Sequence, residues 1–307
     1  MSVKSRMILL IALTHFAGLC LTDHVLYAQS LQSAQFSDAA VEAGVNSGAR
    51  SRGVAFGDFN NDGYVDIYVC RYQANNILFN NLGNSTFSDV TNEAGLAGIE
   101  DSGMAVWSDF DNDGNRDLYI VRFESDYLFR NNGDGSFTEL SNSAGIIHNR
   151  KGVAAAVADV DNDGFLDIYV ANFSDQNILY HNNGDWTFTD RTTESKALDT
   201  GYAMGIAFCD YDNDGDQDLL LAHDGSQGNL LYQNDGTGVF RDAASEAHMK
   251  YAPLAMGVGF GDYNNDGHFD LYITTLGPNL LYRSDGIGWF TLMPFLPKHA
   301  DDGGMGW

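Results

Sequence analysis

Basic residues are scarce: 16 Lys and Arg stand against 42 Asp and Glu, a net charge of −26 over 307 residues. Such a surface repels phosphate backbones and anionic lipid, which argues against nucleic-acid binding and peripheral membrane attachment and favours cations. Proline is rarer still, 4 residues against 34 glycines, so stiff linkers are few and tight turns many. Of 3 cysteines, Cys20 lies in the N-terminal apolar stretch, while Cys70 and Cys209 fall at different places in different repeats. Two such cysteines make no disulfide framework and read as small core residues. No stretch beyond Leu21 is apolar for long enough to span a bilayer, and none has a long helical period. Neither a His-Glu-x-x-His helix nor a Gly-x-Ser-x-Gly elbow is found, and the 8 histidines are scattered. His181, His223 and His268 replace other residues of sister repeats and read as surface decoration.

The first 28 residues read as an export signal: Lys4 and Arg6, an apolar run from Met7 to Leu21, and a small residue, Ala28, before Gln29. The expected location is therefore extracellular, or periplasmic in a Gram-negative bacterium.

The rest, residues 29–307, repeats itself. An acidic loop opens at Asp58, Asp109, Asp159, Asp210 and Asp262, at intervals of 51, 50, 51 and 52 residues. A phenylalanine after a turn keeps the same spacing at Phe36, Phe87, Phe137, Phe188, Phe240 and Phe290. Each unit parses into four short strands: a small apolar one such as Gly53–Gly57, a second after the acidic loop, a third such as Asn177–Tyr180, and a fourth opening on the phenylalanine. Four antiparallel strands at a fixed period predict an all-β fold, a β-propeller of four-stranded blades, because one blade cannot bury both faces alone. A linear β-solenoid is the rival, but its coils are shorter.

The loops carry the chemistry. Oxygen-bearing side chains recur at loop positions 1, 3, 5 and 9: Asp58, Asn60, Asp62 and Asp66; Asp109, Asp111, Asp113 and Asp117; Asp159, Asp161, Asp163 and Asp167; Asp210, Asp212, Asp214 and Asp218; Asp262, Asn264, Asp266 and Asp270. Glycine at position 6 allows a sharp turn that points the position-7 carbonyl inward, from Tyr64, Asn115, Phe165, Asp216 and His268. An all-oxygen set on a flexible loop suits Ca²⁺, about five ions in all; Mg²⁺ demands a more rigid octahedron. An EF-hand is excluded because position 12 is apolar throughout: Val69, Ile120, Val170, Leu221 and Ile273. The competing reading is of Asx-turns whose carboxylates merely cap backbone amides. Nineteen of the 42 acids crowd into these loops, where unpaired carboxylates would repel one another. A site with Kd about 0.1 mM in about 1 mM calcium contributes roughly 1.4 kcal/mol, so five would act as structural staples. Loops 1 and 5, with Asn at position 3, are expected to bind most weakly.

The pattern Asp-x-(Asp/Asn)-x-Asp-Gly-x-x-Asp, followed by Asn-x-Leu-(Tyr/Phe)-x-Asn, resembles the FG-GAP or VCBS repeat that builds integrin α propellers. The run Phe87–Leu96 is similar to the secreted cartilage-acidic-protein-like subgroup, whose members often carry a C-terminal ASPIC/UnbV domain. The resemblance implies a normally seven-bladed ring, so five complete loops and a chain ending at Gly304–Trp307 suggest a truncated one. Phe36–Val45 then reads as an orphan fourth strand. The expected function is a secreted, calcium-loaded, non-catalytic binding, adhesion or scaffold module for a protein or glycan. A lectin or a propeller enzyme such as a polysaccharide lyase are the alternatives. Tyr64, Phe165 and Trp186 could stack on sugar rings but read better as strand and turn packing.

Overall fold

The computed structural model describes residues 37–225, 228–249 and 254–294. The export signal, Phe36 and Gly304–Trp307 lie outside the described residues. The chain falls into two units, Met1–Asp38 and Ala39–Trp307, and the second holds every strand among the described residues.

Alternating burial, small first strands and turn glycines produce five separate four-stranded antiparallel sheets, the blades of a propeller. In blade 1 the strands are β1 (Ser51–Gly57), β2 (Asp66–Arg71), β3 (Ile77–Asn81) and β4 (Phe87–Asp89), hydrogen-bonded in that order. Blades 2 to 5 repeat this over 102–139, 152–190, 203–242 and 255–292. The acidic loop joins the first two strands, and its ninth residue opens the second: Asp66 faces Gly57, as Asp117 faces Ser108.

First strands of consecutive blades lie against one another. This is why they are small: a Cβ on Gly53 would sit 2.6 Å from the Gly103 carbonyl oxygen, and one on Gly205 would sit 2.8 Å from the Gly257 Cα. The core fills the spaces between blades. Phe59, at loop position 2 of blade 1, packs at 6.0 Å on Phe137, the fourth-strand phenylalanine of blade 2, and Trp107 lies between the same sheets. Phe110 meets Phe188 at 5.9 Å and Tyr211 meets Phe290 at 5.9 Å in the same relation. Each buried aromatic contributes roughly 1.5–3 kcal/mol, so the fifty-residue phenylalanine period is a period of interblade contacts.

Two single-turn helices, Ser141–Ala144 and Thr192–Ser195, follow the fourth strands of blades 2 and 3. Among the described residues no helix is long and apolar enough to cross a membrane. The orphan-strand expectation fails over 37–45, which form a turn and irregular chain. The segment matches the turn after each fourth strand: the Ala43 carbonyl accepts from Phe87 as that of Ala94 accepts from Phe137. Cys70 and Cys209 are free and buried, and burial pushes both thiols up to about 12.

Candidate metal loops

The ninth residue of each loop anchors it. Asp66, Asp117, Asp167, Asp218 and Asp270 are buried. One oxygen accepts the position-2 amide, from Phe59 at 3.1 Å to Tyr263 at 3.1 Å. The other accepts an amide at the end of the third strand, as Asn131 to Asp117 at 2.9 Å and Asn234 to Asp218 at 2.8 Å. Burial raises four of these carboxyls: Asp117 to about 7, Asp167 to about 6 and Asp218 to about 8, with Asp66 shifted the same way. The two amide bonds pull each down, and the loop's other carboxylates push Asp66, Asp117 and Asp218 further up. A nearby cation would reverse the balance.

Positions 1 and 5 turn their carboxylates onto the loop's own backbone. Asp58 accepts the amides of Asp62 at 3.1 Å and Gly63 at 2.8 Å, and Asp109, Asp159, Asp210 and Asp262 do the same in their loops. Asp62, Asp113, Asp163, Asp214 and Asp266 accept the position-7 amides of Tyr64, Asn115, Phe165, Asp216 and His268. Asx-turn capping is therefore real. It accounts for part of each carboxylate, since two oxygens offer about four lone-pair directions.

What capping leaves over converges. One ligand oxygen from each of Asp109, Asp111 and Asp117 lies within 4.8 Å of the others, as do those of Asp159, Asp161 and Asp163, and of Asp210, Asp212 and Asp218. The Oδ1 atoms of Asp161 and Asp212 are buried without a hydrogen-bond partner. A buried, bare carboxylate oxygen inside a carboxylate cluster is costly unless a cation is beside it. The donor set of loops 2, 3 and 4 fits a divalent ion. Loops 1 and 5 gather no such triplet among the described residues. There Asn60 turns its amide to Asp62 at 3.0 Å and to Asn80 at 2.9 Å.

Loops 1 to 4 are also touched by the penultimate residue of the third strand, and here the blades differ. Asn80 bonds Asn60, Arg130 Nε lies 3.8 Å from Asp111, His181 sits among three aspartates, and Gln233 donates to Asp212. The Arg191 guanidinium lies 3.3 Å from Asp161. The position-7 side chains of blades 1 and 3 cover the glycine of the next hairpin: a Cβ on Gly83 would meet the Tyr64 ring at 2.5 Å, and one on Gly184 the Phe165 ring at 2.7 Å. Trp186 is half-buried and donates to Asp111 at 3.0 Å. Phe165 and Trp186 pack, as expected, whereas Tyr64 stays 48% exposed. The expectation of surface histidines is corrected: His181 and His223 are buried, because each fills a polar niche at a blade interface, while His268 is half-buried.

Two sets of asparagines carry roles that the loop pattern does not announce. The position-4 residues Asn61, Asn112, Asn162 and Asn213 take a left-handed backbone and reach the next blade, as Asn61 to Asn115 at 2.9 Å and Asn112 to the Gly164 carbonyl at 2.9 Å. The asparagines closing the third strands of blades 2 to 4 reach back instead: Asn131 to the Phe59 carbonyl at 2.7 Å, Asn182 to Phe110 at 2.9 Å, Asn234 to Val160 at 2.8 Å. Their recurrence at fixed places was the available signal.

Among the described residues, five four-stranded blades, each with an acidic loop between its first two strands, define a repeat β-propeller with candidate divalent-cation loops. The FG-GAP-like repeat model matches residues 58–120, 109–170, 159–221 and 210–273, so the chain belongs to that family. It is 34% identical to cartilage acidic protein 1 of Xenopus tropicalis over 83 residues and 37% identical to that of Mus musculus over 82. These matches span 27% and 26% of this chain and 13% of each relative. Among solved structures, a lectin of Agrocybe aegerita studied for its recognition of non-reducing terminal N-acetylglucosamine superposes with a TM-score of 0.51 at 19% identity. That match covers 80% of this chain and 66% of the lectin chain, and it reflects the fold alone.

Proposed function

We propose that this chain is an exported β-propeller whose acidic loops bind calcium, and that the ions staple the blades so that the propeller presents a non-catalytic binding surface. The supporting observation is the convergence of carboxylates in loops 2, 3 and 4, with buried oxygens of Asp161 and Asp212 lacking any hydrogen-bond partner. Each ion would draw on position 1, 3, 5 and 9 oxygens already oriented by amide bonds, so little ordering cost remains at binding. Loops 2 and 4 are the strongest candidates for oxygen-only coordination. The buried His148–Asp126 and His223–Asp199 pairs sit between blades and hold structure, which favours a binder over a catalyst.

A glycan ligand is the second reading. It is favoured by half-buried rings at the end of the blades away from the acidic loops, where Arg52 lies between Tyr72 and Phe123, 4.2 and 4.4 Å from their centroids. An adjoining cleft of about 330 Å³ is lined by Tyr72, Phe123, Glu100 and Arg122. Aromatic faces beside charged hydrogen-bonding groups suit a sugar ring. Native mass spectrometry in millimolar calcium should count several bound ions, and their absence would end the calcium reading. Glycan and extracellular-protein arrays, each with and without chelator, decide between the two ligand classes.

A further inference from the structure

Loop 3 differs from its sisters in kind. His181 is 7% exposed, with its ring aimed into the acidic cluster. Its Nδ1 lies 3.3 Å from Asp161 Oδ2 and 3.1 Å from Asp167 Oδ1, yet forms no hydrogen bond to either. Nε2 is 3.9 Å from Asp163. Asp161 Oδ1 is likewise buried without a partner. Blades 1, 2, 4 and 5 place Asn80, Arg130, Gln233 and Arg283 at the equivalent position, so only this loop offers an imidazole there.

We infer that the third loop is a mixed nitrogen–oxygen site that holds a borderline divalent ion of the Zn²⁺ or Co²⁺ class, through His181 Nδ1 with Asp161 and Asp167, in preference to calcium. Calcium takes oxygen ligands, whereas imidazole suits zinc and its neighbours. The spacing agrees. Ligands at about 2.0 Å from a tetrahedral zinc stand about 3.3 Å apart, too far off the N–H axis for a good hydrogen bond. The observed 3.1 and 3.3 Å separations without hydrogen bonds are what such an arrangement leaves. Asp167 is already fixed by the amides of Val160 at 3.0 Å and Asn182 at 2.8 Å, which orients its remaining lone pairs. Arg191, 3.3 Å from Asp161 Oδ2, tempers the charge of the cluster. A cleft of about 210 Å³ lined by Asp161, His181, Arg191 and Glu194 leads to the site and leaves room for a fourth ligand.

The inference rests on the metal-loop reading for its setting, but its test separates the two. The unaltered chain is titrated with Co²⁺ in about 1 mM calcium, then with Zn²⁺, alongside His181→Gln, which installs the side chain blade 4 carries at Gln233, and a control at the exposed His248, His248→Gln, outside every acidic loop. One Co²⁺ equivalent with tetrahedral visible absorption should bind and be displaced by Zn²⁺. His181→Gln should weaken it at least about tenfold, leaving the calcium-dependent melting shift in place, and His248→Gln should change nothing. In the unaltered chain Zn²⁺ should also move the His181 imidazole nitrogen resonance. A Co²⁺ spectrum that calcium abolishes, or one that survives in His181→Gln, would overturn the assignment in favour of an oxygen-only loop with His181 as an internal counter-ion. Loss of the calcium-dependent shift with the cobalt spectrum intact would sink the calcium reading and leave this one standing.

Discussion

The two ends of each blade join their neighbours by opposite electrostatic means. At the loop end, like charges converge: Asp210, Asp212 and Asp218 in blade 4 crowd together. At the far end, donors meet acceptors. Asn76 donates to Ser102 at 2.7 Å and to the Tyr68 hydroxyl at 3.1 Å. Asn177 and His223 both meet Asp199, at 2.9 and 3.0 Å, and Tyr119 and His148 share Asp126 at 2.6 and 2.8 Å. The buried carboxylates of the far end, Asp126 and Asp199, are thus satisfied by the protein alone. At the loop end, by contrast, Asp161 and Asp212 each keep a buried oxygen without a hydrogen-bond partner.

Removing divalent ions should break the comparison hardest. If four or five loops each contribute about 1.4 kcal/mol, excess chelator should lower Tm by roughly 10–25 °C relative to millimolar calcium. Calorimetry in both buffers checks it. An unchanged Tm would mean that amide capping alone satisfies the loops.

Substitutions at matched places sharpen the contrast. Asp218→Ala removes a metal ligand and strips the Tyr211 and Asn234 amides of their acceptor, for a loss of about 3–5 kcal/mol in calcium and less in chelator. Asn177→Ala, at the far end, leaves the Asn172 amide and Asp199 short of a partner, for about 1–3 kcal/mol in either buffer. Denaturant unfolding of both variants with and without calcium gives the four numbers needed. Equal calcium dependence would erase the distinction.

Within the loop end, Asn60→Asp and Asn264→Asp should give loops 1 and 5 the position-3 carboxylate that loops 2 to 4 possess, tightening calcium there several-fold by titration calorimetry.

The smallest effect is one of pH at the far end. Burial alone would lower the His223 pKa, but the hydrogen bond and charge of Asp199 and the Gly228 carbonyl more than offset it, leaving it above 6.5. Because the folded value is raised, the pair's stabilisation is full below the unfolded value and fades as pH rises through the folded one. Unfolding between pH 5.5 and 8.5 should show a loss of about 1 kcal/mol or less that His223→Gln removes.

The acidic loops, the blade period and the strand order were legible in the sequence because each is a local pattern that recurs. Asp58 and its sisters mark themselves by spacing, and the apolar residue at position 12 alone excluded a helix-flanked loop. The interblade straps were harder. Asn61 and Asn131 recur as faithfully as the aspartates, but an asparagine in a turn has an adequate local explanation, and only its partner reveals its second role. His181 and His223 misled for the opposite reason. They break the repeat, and a residue without periodicity gives no hint whether its niche is wet or dry.

The sequence by itself settled the repeat unit, the all-β class and the oxygen-rich hairpins, since hydrophobic alternation and turn chemistry act over a few residues. Tertiary structure alone decided which carboxylates converge, that an imidazole closes the third cluster, and how asparagines tie one blade to the next. The last two join residues far apart in the chain, and the desolvation and geometry of all three are encoded by no local pattern.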